Sequence, residues 1–174
     1  MYRHTTCCFT GHRPEKMPFA ANGNSFAFHQ FQRALERAIQ DAIHSGYRHF
    51  ITGMSRGMDL WAAQLVLRFR KAYQDLILEA AIPFEGQADA WDYADRQLYQ
   101  TVRSRCDSVV VLSPAYQPDV MHQRNRYMVD HASLLIAAYD GSPGGTRYTY
   151  DYARRKGLDI VNIFETDYYD YSIL

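Results

Sequence analysis

A chain of 174 residues is long enough to fill one hydrophobic core and too short for two ordinary domains. Its 47% hydrophobic and 22% charged residues are globular proportions, which excludes a disordered, collagen-like or low-complexity chain. A formal net charge of zero leaves no overall field to gather nucleic acid or an anionic membrane.

The three cysteines cannot all pair. Cys7 and Cys8 are adjacent in an apolar run and point to opposite faces of a strand, which favours buried thiols over a disulfide framework. Met1-Tyr2-Arg3-His4-Thr5 lacks the regions of a signal peptide, and no apolar run approaches the roughly 20 residues that span a bilayer, so a reducing cytoplasm is the expected setting.

In chain order, Thr5-Thr6-Cys7-Cys8-Phe9-Thr10 reads as a buried first strand that stops at Gly11-His12-Arg13-Pro14. Residues 15–25, with Pro18, Asn22, Gly23 and Asn24, read as a loop. Phe28, Phe31, Leu35, Ala38, Ile39 and Ala42 recur at helical spacing between polar residues, an amphipathic helix ending near Gly46. A second strand, Arg48-His49-Phe50-Ile51-Thr52, runs into Gly53-Met54-Ser55-Arg56-Gly57-Met58-Asp59 and a helix whose inner face is Met58, Ala62, Leu65, Val66 and Phe69. Leu76-Ile77-Leu78-Glu79-Ala80-Ala81-Ile82 is a third strand closed by Pro83-Phe84, and a helix carrying Trp91, Leu98 and Val102 follows.

Ser108-Val109-Val110-Val111-Leu112 is a fourth strand, ended by Ser113-Pro114. A shorter helical segment over 120–131 leads to Leu134-Leu135-Ile136-Ala137-Ala138-Tyr139, an unbroken apolar run that reads as a strand buried on both faces. Asp140-Gly141-Ser142-Pro143-Gly144-Gly145-Thr146 follows it directly. A helix to about Arg155 then closes at Gly157, and Ile160-Val161-Asn162-Ile163-Phe164 supplies a last strand.

This alternation implies βαβ crossovers, a mainly parallel sheet and helices on both faces: a single α/β, Rossmann-like domain. Tyr168, Tyr169 and Tyr171 form an aromatic tail that packs on the domain or offers a partner surface, and self-association into a homo-oligomer stays open.

Every unusual residue cluster falls just after a strand, at 11–14, 53–59, 83–87, 113–116 and 140–146. In a parallel sheet these corners share one edge, and ligands bind there where the strand order reverses, so the corners are expected to meet in a crevice. Gly144 and Gly145 let backbone approach a ligand, while the first-turn amides and dipole of the next helix favour phosphate or carboxylate, and Thr146 adds a hydroxyl. Arg13 and Arg56 are placed to clamp such an anion.

Asp59 either complements a helix dipole or accepts a bond from a ribose hydroxyl. His12 is either a general acid or base or a structural histidine, since the sequence reveals no partner for it. Trp91 reads as core, with base stacking as the sharper alternative. The seven histidines are scattered and no Cys-x-x-Cys occurs, so no metal site is expected. Neither a Walker sequence nor a Gly-x-Gly-x-x-Gly fingerprint is present.

Taken jointly, Thr10-Gly11-His12-Arg13-Pro14, Gly53-Met54-Ser55-Arg56-Gly57-Met58-Asp59, Pro83-Phe84 with Gln87 and Trp91, Arg124-Asn125 with Met128-Val129-Asp130, and Asp140-Gly141 with Gly144-Gly145-Thr146 resemble the YpsA-like branch of the SLOG superfamily. The resemblance covers nearly the whole chain. It implies a Rossmann-like domain whose strand-end loops bind a nucleotide or nucleotide-derived ligand, such as ADP-ribose or an NAD-derived molecule. Related branches are the cytokinin-activating nucleoside-monophosphate phosphoribohydrolases and the Rossmann domain of the DNA-processing protein A family. The phosphoribohydrolases carry a glutamate three residues after the threonine of their glycine loop. Here Thr149 holds that position, and Asp151 is out of helical register with it. The DNA-processing relatives bind single strands through basic surfaces, a poor match to a neutral chain.

The sequence therefore predicts a sensory or regulatory domain that binds a phosphate-containing small molecule through Gly11, His12, Arg13, Gly53, Ser55, Arg56, Gly57, Asp59, Asn125, Gly141, Gly144, Gly145 and Thr146, with Asp59 or Asn125 on the sugar. The rival is an N-glycosidic hydrolase of nucleoside monophosphates in which Glu85 or Asp140 acts on a ribosyl centre. A third reading is a single-stranded nucleic-acid-binding module.

Overall fold

The computed structural model describes residues 3–19, 21 and 25–167. The strands are β1 (Thr6–Gly11), β2 (His49–Thr52), β3 (Ile77–Phe84), β4 (Ser108–Ser113), β5 (Leu134–Ala138) and β6 (Asp159–Asn162). They alternate with the helices α1 (Phe26–His44), α2 (Met58–Phe69), α3 (Tyr93–Arg105), α4 (Val120–Asp130) and α5 (Gly145–Arg155). Every strand pairing is parallel, and the sheet order is β4-β3-β2-β1-β5-β6. The chain steps outward from β1 to β4, then crosses back to lay β5 against the other side of β1. The reversal point therefore lies between β1 and β5.

That reversal also moves the crossover helices to the opposite face. One core gathers α1, α2 and the buried side of α3, with Phe9, Phe31, Leu35, Phe50, Leu60 and Val102 in it. The other gathers α4 and α5 around Met128, Val129, Leu135 and Ala153. Cys7 enters the first core and Cys8 the second, both fully buried, as their adjacency in a strand predicts. Burial pushes both thiols up and keeps them protonated. All five residues of β5 are buried, so the apolar run does lie between two helical layers.

Local signals fix several helix ends. Ser25 Oγ accepts from Phe28 N at 3.2 Å at the start of α1, and Asp92 Oδ1 accepts from Asp95 N at 2.9 Å at the start of α3. Gly157, at φ +73°, follows α5.

Several boundaries differ from the expected ones. Asp92 caps α3, so Trp91 stands just outside the helix rather than within it. β3 runs through Pro83 to Phe84, a tolerable place for proline because β2 has already ended at Thr52, opposite Ala80. Ile163 and Phe164 leave the sheet in a 3-10 turn and turn toward α1, where the Phe164 and Phe31 ring centroids are 6.0 Å apart. β4 is an edge strand and leaves Val109 39% exposed. Asn22, Gly23, Asn24 and the tail residues Tyr168, Tyr169 and Tyr171 lie outside the described residues. No helix among the described residues is long and apolar enough to cross a membrane.

Candidate functional site

An all-parallel sheet places its strand-end corners on one edge, and at the reversal point three of the corners enclose a crevice of about 330 Å³. The corner after β1 supplies Gly11, His12 and Arg13, that after β2 supplies Ser55 and Asp59, and that after β5 supplies Gly144, Gly145 and Thr146. The first turns of α4 add His122, Arg124 and Asn125. A second cleft of about 400 Å³ lies beside it and takes the two remaining corners through Phe84, Gln87 and Tyr116. Arg13, Ser55 and Met121 belong to both walls. A larger groove, about 800 Å³, is walled by α1 and α2 alone and receives no strand-end loop, so no backbone donors converge on it.

The expected glycines divide into two groups. A Cβ on Gly11 would lie 2.6 Å from Met58 Cβ, one on Gly53 2.7 Å from Asp59 Oδ2, and one on Gly57 2.7 Å from the His12 carbonyl oxygen. These glycines let the corners and α2 approach one another; of the three, only Gly11 lines the crevice. Gly141, Gly144 and Gly145 meet nothing within 4 Å. Gly144 has φ +143°, a conformation that disfavours other residues, and Gly141 at +88° lies outside the crevice wall. Gly145 has neither a positive φ nor a crowded Cβ, so the fold itself does not require glycine there.

The helices facing the crevice differ from the others at their N-termini. α2, α4 and α5 begin without a side-chain cap, whereas α1 and α3 are capped by Ser25 and Asp92. The first-turn amides of α5 are thus left for another acceptor.

His12, for which the sequence offered no partner, has one. Its Nε2 lies 2.8 Å from Asp140 Oδ1, and its Nδ1 lies 3.4 Å from Thr146 Oγ1. Burial opposes ionisation of Asp140, but bonds from the Ser142 hydroxyl and amide and from the His12 ring prevail and bring the carboxyl down to about 2. An ionised carboxylate only accepts, so the His12 proton sits on Nε2 and Nδ1 faces the threonine hydroxyl.

Arg124 was quoted in the family motif but not placed among the binding residues. It is 4% exposed and organises the floor. It donates to the Gly53 carbonyl, to Ser55 Oγ at 3.2 Å and to Asn125 Oδ1 at 2.7 Å, and its guanidinium is 3.9 Å from Asp59 Oδ2. Burial pushes its pKa down, with the Asp59 carboxylate opposing the shift. Burial likewise pushes Asp59 up, partly offset by Arg124 and by the Ser55 amide, which donates to it at 3.2 Å. Asp59 therefore faces the crevice with its charge already engaged.

The two expected anion partners differ in their surroundings. Arg56 is held by Asp95 and, at 3.5 Å, by Glu15, and it lines the second cleft rather than the crevice. Arg13 lines both cavities and makes no salt bridge among the described residues. Of the two catalytic candidates, Asp140 contacts His12 at the crevice, whereas Glu85 is paired with Arg103 at 3.0 Å on the surface and lines neither cavity. Thr149 is fully buried, and its hydroxyl donates to the Gly145 carbonyl at 3.0 Å. Asp151 turns away and pairs with Arg147 at 3.5 Å.

The comparisons agree with this architecture. A model of the YspA SLOG family matches residues 7–166. UPF0398 proteins of Bacillus thuringiensis (strain Al Hakam) and Bacillus cereus (strain Q1) are 28% identical over 168 residues, spanning 95% of this chain and 88% of theirs. The X-ray structure of DNA processing protein A (DprA) from Streptococcus pneumoniae aligns with a TM-score of 0.58 and 21% identity over 89% of this chain, which spans about half (48%) of that one. At that identity the likeness speaks to the fold, a Rossmann-like one. Because the family match takes in every corner of the crevice, from Gly11 through Thr146, the chain belongs to the YspA SLOG family.

Proposed function

We propose that the crevice at the β1/β5 reversal binds the phosphate of a nucleotide or nucleotide-derived small molecule, in a sensory or regulatory role. Gly145 carries this reading. A glycine that neither conformation nor crowding demands, on the first turn of an uncapped helix, suits an anion that must sit against backbone. Arg13 supplies a cation without a counterion among the described residues, the His12–Asp140 pair borders the same wall, and Asn125 offers its amide to a sugar. The crevice is at the lower end of the ~300–1,000 Å³ usual for small-molecule sites.

Isothermal titration against AMP, ADP-ribose, NAD and cyclic nucleotides is the direct test. At least one should bind, and Arg13→Ala should weaken it on the order of tenfold or more, as loss of a charge-assisted contact does. A folded protein that binds none of them ends the proposal.

The hydrolase reading retains support in the His12–Asp140 pair alone. With the Asp140 carboxyl at about 2, it serves as a base or charge stabiliser and not as a proton donor near neutral pH. Release of free base from nucleoside monophosphates, abolished by Asp140→Asn, would establish that reading; intact nucleotides after prolonged incubation would remove it.

A further inference from the structure

We infer that the second cleft is a subsite for an amino-bearing purine ring, so that the preferred ligand class is an adenine or guanine nucleoside phosphate. The inference rests on phosphate binding in the adjoining crevice. Two independent features of the cleft lead to it.

The first is its wall. Phe84, Trp91, Tyr116 and Met121 line about 400 Å³ of space on the same rim as the crevice, with Arg13 and Ser55 common to both. Tyr116 is 69% exposed, yet its ring stands edge-on to Phe84 with centroids 5.5 Å apart. Trp91, outside α3, is held from behind by Tyr99, with centroids 5.5 Å apart and planes at 85°. Planar π surfaces beside an anion site form the usual platform for a nucleobase attached to a phosphate.

The second is Gln87, which is 8% exposed and lines the cleft. Its Nε2 donates to the Met54 carbonyl oxygen at 3.5 Å, which fixes the orientation of the amide because a carbonyl can only accept. Its Oε1 is buried and has no hydrogen-bond partner among the described residues. A buried carbonyl oxygen without a donor is costly, and the group that would satisfy it is an N–H. Adenine carries an exocyclic amine at C6 for this and guanine one at C2; hypoxanthine carries no exocyclic amine at either position.

The test compares ribose 5-phosphate, AMP and IMP by titration on the wild type, Trp91→Ala, Tyr116→Ala and Gln87→Met. AMP should bind about tenfold or more tightly than ribose 5-phosphate, the size of effect a stacked base gives. Trp91→Ala and Tyr116→Ala should each shrink that gap while leaving ribose 5-phosphate unchanged. Should Trp91→Ala not fold, the exposed Tyr116 carries the same test. AMP should also exceed IMP by about tenfold, and Gln87→Met should erase the difference. In a Trp61→Phe background, Trp91 is the remaining tryptophan of the chain, and its emission should change with AMP and not with ribose 5-phosphate.

Equal binding of AMP and ribose 5-phosphate would overturn the base subsite and leave the phosphate reading standing. Equal binding of AMP and IMP would overturn the role given to Gln87. Binding of neither phosphate compound would overturn the phosphate reading, and this inference with it.

Discussion

Arg124 and Asp59 illustrate how a charged pair can stabilise a site without serving as its anion trap. Arg124 holds a carbonyl, a hydroxyl and an amide while standing 3.9 Å from a carboxylate as buried as itself. Removing the guanidinium leaves a charge in low dielectric and an unpaired Gly53 carbonyl, so Arg124→Met should cost about 3–5 kcal/mol in urea unfolding at neutral pH. Adding Asp59→Asn should return part of that loss. Asp140 provides a pH signature with a definite sign. Its folded-state carboxyl lies at about 2, below the ordinary ~3.9, so the stability it contributes is complete above the ordinary value and is lost as pH falls toward about 2. Urea titrations at pH 5, 3 and 2 should show a shallower acid decline for Asp140→Asn than for the wild type. Neither network was readable as such in the sequence. His12 was singled out, but its partner lies 128 positions away. Arg124 sits in the polar segment 120–131, where an arginine ordinarily faces water, and only the packing of α4 against the corner after β2 buries it.

At the scale of elements, the two classes of glycine predict opposite outcomes. Gly145→Ala places a methyl in open space on a regular helical residue, so stability should hold or rise by about 0.5–1 kcal/mol while nucleotide affinity falls. Gly57→Ala must adopt φ +86° and bring Cβ to 2.7 Å from the His12 carbonyl oxygen, so it should destabilise the fold before any ligand is added. Thermal melts and titrations on both variants separate the cases, and a Gly145→Ala protein that melts early would contradict the assignment. The strands and helices themselves were legible because a sheet covered on both faces forces long apolar runs, and amphipathic helices announce their buried stripe. Where the reading slipped, a local competitor prevailed. Asp92 caps α3 at a position that the spacing of Trp91, Leu98 and Val102 had treated as helix interior. Ile163 and Phe164 continue an apolar pattern but leave the β5 ladder after Asn162 and set Phe164 against Phe31 of α1.

For the molecule as a whole, the sheet order determines what ligand binding should do to stability. The crevice is built from corners that belong to both helical layers: Asp59 from α2 on one face, Asn125 from α4 and Thr146 from α5 on the other. A ligand that bridges them is attached to both cores at once, so it should raise the midpoint of global unfolding rather than protect a single loop. At a ligand concentration about a hundredfold above Kd the gain is about 2.7 kcal/mol. For a domain of this size that corresponds to roughly 5–10 °C in Tm. Gly145→Ala should melt at or above the wild-type temperature without ligand and show a much smaller shift with AMP. The neutral net charge makes the contrasting prediction for nucleic acid: single-stranded DNA at low salt should neither be retained nor shift the melt. A DNA-induced shift that fades with added salt, together with none from AMP, would place the function on an extended charged surface and remove the crevice from it.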